Sequence, residues 1–452
     1  MYINQIAARY GDGIGCPDRS VADNIRFRGV RQPTMNVPFL DLKPGYSRLR
    51  EEIEAAVGAV FDQCNFVLGE PVAQFEEECA AFCGAAHAVS VASGTDAIRI
   101  ALRGCGAAKG DGVITSPLTF VATAESINSI GARPFFCDID PVTANVSPAA
   151  VRHFLESQCH VPEKGACPVH RETGIPVKGI IPVHLYGQCA DMAALNGIAR
   201  AWNLFVVEDA AQAFGAGYEL DGKSARAGTL GAAAAFSFYP SKNLGGAGDG
   251  GMITTDDERV ADICRVLRVH GAPSAYRFEE SGYNSRLDTI QAVVLRIRLK
   301  YVEEWLEARR RKAAFYASLF RETAAKASVD TLEAADLAEP VPARGNYVVL
   351  PSEAAQCTHT YNSFNIRVSD RNGFTAFLRE RGVGTNVYYP KPLHRTRVFE
   401  FLGYAQGDMP VAESLSNHIC ALPMFPEISE VQQTYVVDQA MEYLKANAPG
   451  SE

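Results

Sequence analysis

Between about residues 85 and 255, short β-branched runs alternate with helical periodicities, and this alternation restricts the fold more than any other feature. "AVSVASGTDAIRIALRGCGA" reads as strand, small-residue turn and helix. "DGVITSPLTFVATAESINSIGA" repeats the unit, and "RPFFCDID" adds a strand. "VKGIIPVHLYGQCADMAALNGIARAWN" and "LFVVEDAAQAFGA" continue the series. Strands alternating with helices predict an α/β domain built on a mainly parallel sheet, covered on both faces. In such sheets ligands bind beyond the carboxyl ends of the strands.

The flanks extend this unit. "YSRLREEIEAAVGAVFD" and "PVAQFEEECAAFCGA" repeat apolar positions at helical spacing, the second ending at Gly84. "DTIQAVVLRIRLKYVEEWLEARRRKAAFYASLF" reads as one long helical stretch leading out of the sheet layer. Beyond it, residues 333–360 are rich in Pro, Ala and Glu and read as loop and edge structure. "YNSFNIRVS", a helix "RNGFTAFLRERG" and a last helix near 430–445 suggest a smaller α+β domain. The expected organisation is a large domain over 35–300 and a small C-terminal domain over 301–452. Residues 1–34, with five arginines and no clear periodicity, are expected to form a weakly ordered and dispensable extension.

With 452 residues, 47% of them hydrophobic, the chain can bury such a core. A net charge of -9 supplies no broad basic field for nucleic acid or an anionic membrane. No stretch is apolar for the roughly 20 residues a span needs, and the first ten lack a secretory apolar core. The 12 cysteines include no C-x-x-C, and most lie in apolar runs, which favours a reducing, cytoplasmic setting. Cys79 and Cys83 could start a metal site, but no matching pair follows, so no metal is expected.

Four loops at strand ends carry reactive or phosphate-friendly residues. Ser93-Gly94-Thr95 sits where a strand ends and a helix begins, which suits an anion or a plain helix cap. Asp209 ends the apolar run "FVVED"; it is a crevice carboxylate or a structural cap. Lys242, with Ser237 before it, lies in "FSFYPSKNLGGAGDGG", whose spacing excludes a P-loop. Phe120 in "PLTFVAT" is a stacking ring or a core aromatic. Taken together they match one chemistry. Pyridoxal phosphate needs a lysine for a Schiff base, a carboxylate against its pyridine nitrogen, a phosphate cradle and a stacking aromatic. The lysine, once released, is placed to move the proton from the amino-bearing carbon.

The sequence closely resembles the nucleotide-sugar aminotransferases of the DegT/StrS type, fold-type-I pyridoxal phosphate enzymes with a mainly parallel seven-stranded sheet. The resemblance runs from about residue 37 to 445. It is carried by "ASGTDAIRIAL", "PLTFVATAESI", "IIPVHLYGQCADM", "VVEDAAQAFGA", "FSFYPSKNLGGAGDGG", "GYNSRLDTIQAVVL", "VYYPKPLH" and "MPVAES". The resemblance implies that Lys242 bonds the cofactor and that Asp209 pairs with its pyridine nitrogen. Gln212 would bond the ring hydroxyl, Gly94, Thr95 and Ser237 the phosphate, and Phe120 would lie against the ring. Asn284 would reach the phosphate of a partner subunit's cofactor, implying a homodimer with shared sites. His184, Tyr186, Tyr389 and His394 are the expected substrate-facing residues.

The implied reaction moves an amino group, with glutamate the expected donor, to a keto group of a nucleotide-linked sugar. "HLYGQCADM" favours C-3 over C-4. Three other readings stand beside it. A dehydratase of the same fold is disfavoured by Lys242, which histidine replaces in that branch; a cyclitol aminotransferase and a non-catalytic regulator remain. The sequence departs from the family pattern at Ala232 and at Arg395-Thr396-Arg397. The segment 157–178 is also longer than usual; its Cys159, His160, Cys167 and His170 read as a polar surface loop rather than a zinc site.

Overall fold

Seven strands form the central sheet of the protein, whose structure is a computed structural model describing residues 35–220, 222–324, 329–342 and 345–447. The extension expected over residues 1–34 lies outside the described residues. The strands are β1 (His87–Val91), β2 (Gly112–Thr115), β3 (Arg133–Phe136), β4 (Val177–Ile181), β5 (Phe205–Asp209), β6 (Ala233–Ser237) and β7 (Gly251–Thr255). Their order across the sheet is β1-β7-β6-β5-β4-β2-β3. β6, β5, β4, β2 and β3 pair in parallel, while β7 runs antiparallel to both of its neighbours, β6 and β1. The fold is therefore the α/β class that the alternation predicts.

Side chains of successive strand residues point to opposite faces. Ile114, Ile180, Val206 and Ala234 face one core, which holds Val72, Phe75 and Leu195. Val113, Ile181, Val207 and Ala235 face the other, with Ile98, Leu102 and Leu267. Covering on both faces explains why these strands read as continuous apolar runs.

A second sheet carries β8 (Asp330–Glu333), β9 (Tyr347–Leu350), β10 (Phe364–Val368) and β11 (Ile419–Leu422), in that order. It packs with helices Arg371–Glu380 and Glu430–Ala446 around Phe364, Ile366, Phe374 and Val437. Two expectations change here. Residues 333–360 are not all loop and edge: "YVVL" is the interior strand β9, fully buried, its signal masked by the Pro- and Ala-rich residues around it. The long helical stretch also breaks into Thr289–Leu299 and Val302–Ala324. No Pro or Gly causes the break. It falls at Lys300–Tyr301, where the Tyr301 ring packs 6.2 Å from Trp305 and under Arg48. The second of these helices places Val302 and Leu306 in the first core and Ala313, Tyr316 and Phe320 in the second.

Segment 157–178 is a short hairpin rather than a polar loop. Cys159–His160 pairs antiparallel with Val169–His170. His170 is buried against Phe135 and Phe154, at 4.8 and 5.7 Å, because its ring closes the end of an aromatic cluster. No group of three or more potential metal ligands occurs among the described residues. No described helix is long and apolar enough to cross a membrane.

Candidate active site

Segments leaving the carboxyl ends of β1, β2, β4, β5 and β6 meet at one place. After β1, Ser93 caps the helix Gly94–Gly104 by accepting the Asp96 N–H at 3.2 Å. The N–H groups of Gly94 and Thr95, the first two residues of the helix, have no acceptor among the described residues. Gly94 lies against Ser237 at the end of β6: a Cβ on Gly94 would come within 2.6 Å of the Ser237 Cβ. Glycine is therefore required there for the two strand ends to approach, and the result is a cradle of free N–H groups at a helix N-terminus beside a hydroxyl. That arrangement suits a phosphate.

Asp209 closes β5 and is buried. Thr123 donates its hydroxyl to one carboxylate oxygen at 2.6 Å, and the Ala211 N–H donates to the other at 3.2 Å. Thr119 bonds Thr123 in turn at 2.9 Å. Burial pushes the Asp209 carboxyl above its ordinary range; the Thr123 hydroxyl, the Ala211 N–H, Lys242 and His184 pull it back. A carboxylate has about four acceptor positions. Two donors leave room for a further one, and a protonated ring nitrogen fits that place.

Lys242 follows β6 in a turn closed by its own N–H donating to the Tyr239 carbonyl at 2.9 Å. It is half-buried. Burial pushes its amine down to about 8, with the Asp209 charge opposing. Desolvation disfavours the ammonium, so this lysine reaches its nucleophilic form well below an ordinary lysine.

This shift predicts a pH effect in cofactor-free protein. Below about 8 the amine is protonated in both folded and unfolded chains, and the folded state carries the cost of the buried charge. From about 8 up to the ordinary lysine value of 10.5 the unfolded chain holds more protons than the folded one. Stability contributed by this group therefore rises with pH across that window. Lys242→Met removes the buried charge, so the variant should melt above wild type below pH 8, with the gap closing as pH rises. A gap that stays constant through the window would contradict the assignment.

Gln212 and Tyr389 join the same cluster. The Gln212 amide donates to the Tyr389 hydroxyl at 3.0 Å, and its carbonyl accepts the Tyr186 N–H at 2.8 Å. Tyr186 has a φ of 62°, in the left-handed region, and its hydroxyl donates to the Tyr388 carbonyl. Phe120 is 57% exposed, with its ring 6.4 Å from that of Tyr389. An exposed aromatic at a strand end is available to stack on a flat ring.

The other expected residues stand apart. His184 is fully buried with both ring nitrogens engaged: the Ala190 N–H donates to Nδ1 at 3.2 Å, and Nε2 bonds Glu208 at 2.9 Å. Its ring therefore faces the core. Its backbone N–H bonds the Asp209 carbonyl at 2.9 Å, tying β4 to β5 at the site. His394 is buried, with Nε2 on Glu413 at 2.9 Å and Nδ1 without a partner. Its neighbour Leu393 anchors that segment by donating to the Pro117 carbonyl at 2.7 Å, next to the Phe120 loop. Asn284 is exposed, and among the described residues its side chain bonds Arg286.

Sequence reasoning missed Thr123 and Glu208. Thr123 lies four residues after Thr119, one helical turn, in the loop already marked by Phe120. Glu208 accepts the N–H groups of Gly228, Leu230 and Gly231 at 2.7–2.9 Å in addition to His184. A carboxylate inside the apolar run "FVVED" was the available signal, since burying it demands several donors.

The DegT/DnrJ/EryC1/StrS aminotransferase family profile matches residues 47–441. A "pleiotropic regulatory protein" of Geobacillus stearothermophilus is 44% identical, over 91% of this chain and 99% of that protein. A UDP-N-acetyl-3-dehydro-alpha-D-glucosamine 3-aminotransferase of Acidithiobacillus ferrooxidans is 36% identical, over 88% and 95%. The X-ray structure of DesV from S. venezuelae, in complex with a ketimine intermediate, superposes with a TM-score of 0.79. It is 36% identical and covers 91% of this chain and 99% of that one. A lysine, a carboxylate and an anion cradle at the ends of β1, β5 and β6, together with a match over most of the chain, lead to one assignment: the protein belongs to the DegT/DnrJ/EryC1/StrS aminotransferase family, whose chemistry runs on pyridoxal phosphate.

Proposed function

We propose that this protein transfers an amino group from L-glutamate to the C-3 keto group of a nucleotide-linked sugar. The observation that carries the reading is the meeting of Lys242, Asp209 and the Gly94–Ser237 cradle at one set of strand ends. The 3-aminotransferase named above supports C-3.

When bound, pyridoxal phosphate supplies an electron sink for the carbon that loses its proton. The chain does the rest. Gly94 and Thr95 N–H groups and the Ser237 hydroxyl would hold the phosphate, and Phe120 would lie against the ring. Asp209, held by Thr123 and Ala211, keeps a proton on the ring nitrogen. Gln212 would orient the ring hydroxyl. Lys242, with its lowered basicity, would be the base that takes the proton from the amino-bearing carbon. Tyr186 and Tyr389 would form the wall that rotates the sugar, and His394, buried against Glu413, would brace the segment that carries Tyr389. His184 supports Asp209 from behind.

A homodimer with Asn284 reaching the partner's phosphate completes the proposal; the exposure of Asn284 supports it. A cytoplasmic setting suits the eleven free thiols among the described residues. The relative named as a regulator keeps a regulatory role as the second reading.

Product analysis tests both. Protein loaded with pyridoxal phosphate is given glutamate and matched 3-keto and 4-keto nucleotide sugars, and the products are examined by NMR. Nitrogen on C-3 is expected. Nitrogen only on C-4 would reject the regiochemistry, and no amination of any keto sugar would favour the regulator.

A further inference from the structure

Arg298 is 6% exposed, yet its guanidinium makes no hydrogen bond and no ion pair among the described residues. It is sandwiched between the Tyr46 and Trp305 rings, whose centroids lie 4.4 and 4.6 Å from its central carbon. Ring faces attract a cation but accept no N–H hydrogen bond along its edge. Both Nε and one terminal nitrogen are buried without an acceptor. Leaving several donors of a charged group unmet in the interior is costly, and such a group in a folded protein calls for an occupant.

Arg298 lines a cavity of about 30 Å³. That is room for about two water-sized species. A second unmet polar atom, Asn243 Oδ1, belongs to the same lining. Two carboxylates also line it. Asp41 uses one oxygen to accept the Lys43 N–H at 3.0 Å, and Glu427, exposed and without an ion pair among the described residues, lies near enough to favour the charges of Arg298 and Arg309. The buried Arg309 adds a second cation, and in cofactor-free protein a protonated Lys242 adds a third, so that cations then outnumber carboxylates. Arg309 spends one terminal nitrogen on the carbonyls of Tyr361, Asn362 and Met424 and offers that nitrogen to nothing else.

We propose that the cavity between Arg298, Asn243 and Lys242 is a binding site for a small monovalent anion of chloride size, held by the ring-sandwiched guanidinium. The anion accepts the unmet Arg298 N–H groups, and a companion water donates to Asn243 Oδ1. The Tyr46 and Trp305 rings fix the guanidinium plane, so the site is built before the anion arrives. Glu427 opposes occupancy electrostatically from the exposed rim.

The test is thermal unfolding of the full chain in chloride against gluconate at constant ionic strength. Gluconate is too large for the cavity. A saturable rise in melting temperature with chloride alone is expected, and Arg298→Leu should abolish it. Because that variant can fail by losing the sandwich, Glu427→Gln provides the independent arm. Removing an exposed opposing charge should lower the half-saturating chloride concentration by up to about fivefold. Identical melting in chloride and gluconate for both wild type and Glu427→Gln would overturn the proposal.

Discussion

Lys242→Ala should leave a folded protein whose transaminase rate falls by at least about a thousandfold, the scale of losing both a nucleophile and an acid–base group. The substitution removes a half-buried amine that makes no side-chain hydrogen bond among the described residues, so folding loses no such partner with it. Circular dichroism should therefore match wild type, and melting below pH 8 should not fall beneath it, while turnover disappears. Borohydride treatment of wild type followed by peptide mapping should place the cofactor on Lys242, and a label on another lysine would sink the assignment. The same variant tests whether sites are shared. Mixed with an inactive Asn284→Ala variant, it should regain some activity, because one site of each mixed dimer carries neither change. No recovery after confirmed subunit exchange would place Asn284 outside the partner's site.

Asp209→Asn should lower turnover by about 10²- to 10³-fold, the range for removing one preorganised electrostatic group. Its size is retained; the amide oxygen can keep the Ala211 N–H, while the amide nitrogen faces the Thr123 hydroxyl, which must turn to accept. What goes is the charge proposed to keep a proton on the ring nitrogen. Stability should move the other way: burial already raises the Asp209 carboxyl, so in cofactor-free protein the charge is a burden and the amide relieves it. Steady-state kinetics beside melting curves would separate the two effects. Near-normal turnover would remove Asp209 from its role.

The sheet and the central residues were legible because they obey local rules. Parallel strands are short and apolar, and their functional residues sit at the carboxyl ends, so Gly94, Asp209, Ser237 and Lys242 could be marked one loop at a time. Strand β9 escaped because its four residues are too few to outweigh the Pro- and Ala-rich residues on either side. His184 was marked for the wrong side of the strand end: its backbone belongs to the site, but Glu208, one residue before Asp209, draws its ring into the opposite core. That pairing spans 24 residues and has no short-range pattern. The unmet Arg298 was equally hidden, because "LRIRLKYVEEW" gives no sign that Tyr46 and Trp305 close over one of its arginines.

The reversed strand β7 has a consequence for how the enzyme is made. β1 has no neighbour in the sheet except β7, and their pairing joins His87 to Thr255. β7 also touches the cradle directly, since a Cβ on Gly251 would meet the Ser93 carbonyl at 2.4 Å. The residues between them must be synthesised before β1 can dock, and such long-range closure is slow. On the ribosome the first-made strand waits longest for its partner, with its apolar faces open to chaperones or to other nascent chains. The proposed cofactor cradle is thus begun early in translation and finished only when Gly251–Thr255 has emerged, which would tie competence for pyridoxal phosphate to a late step of co-translational assembly.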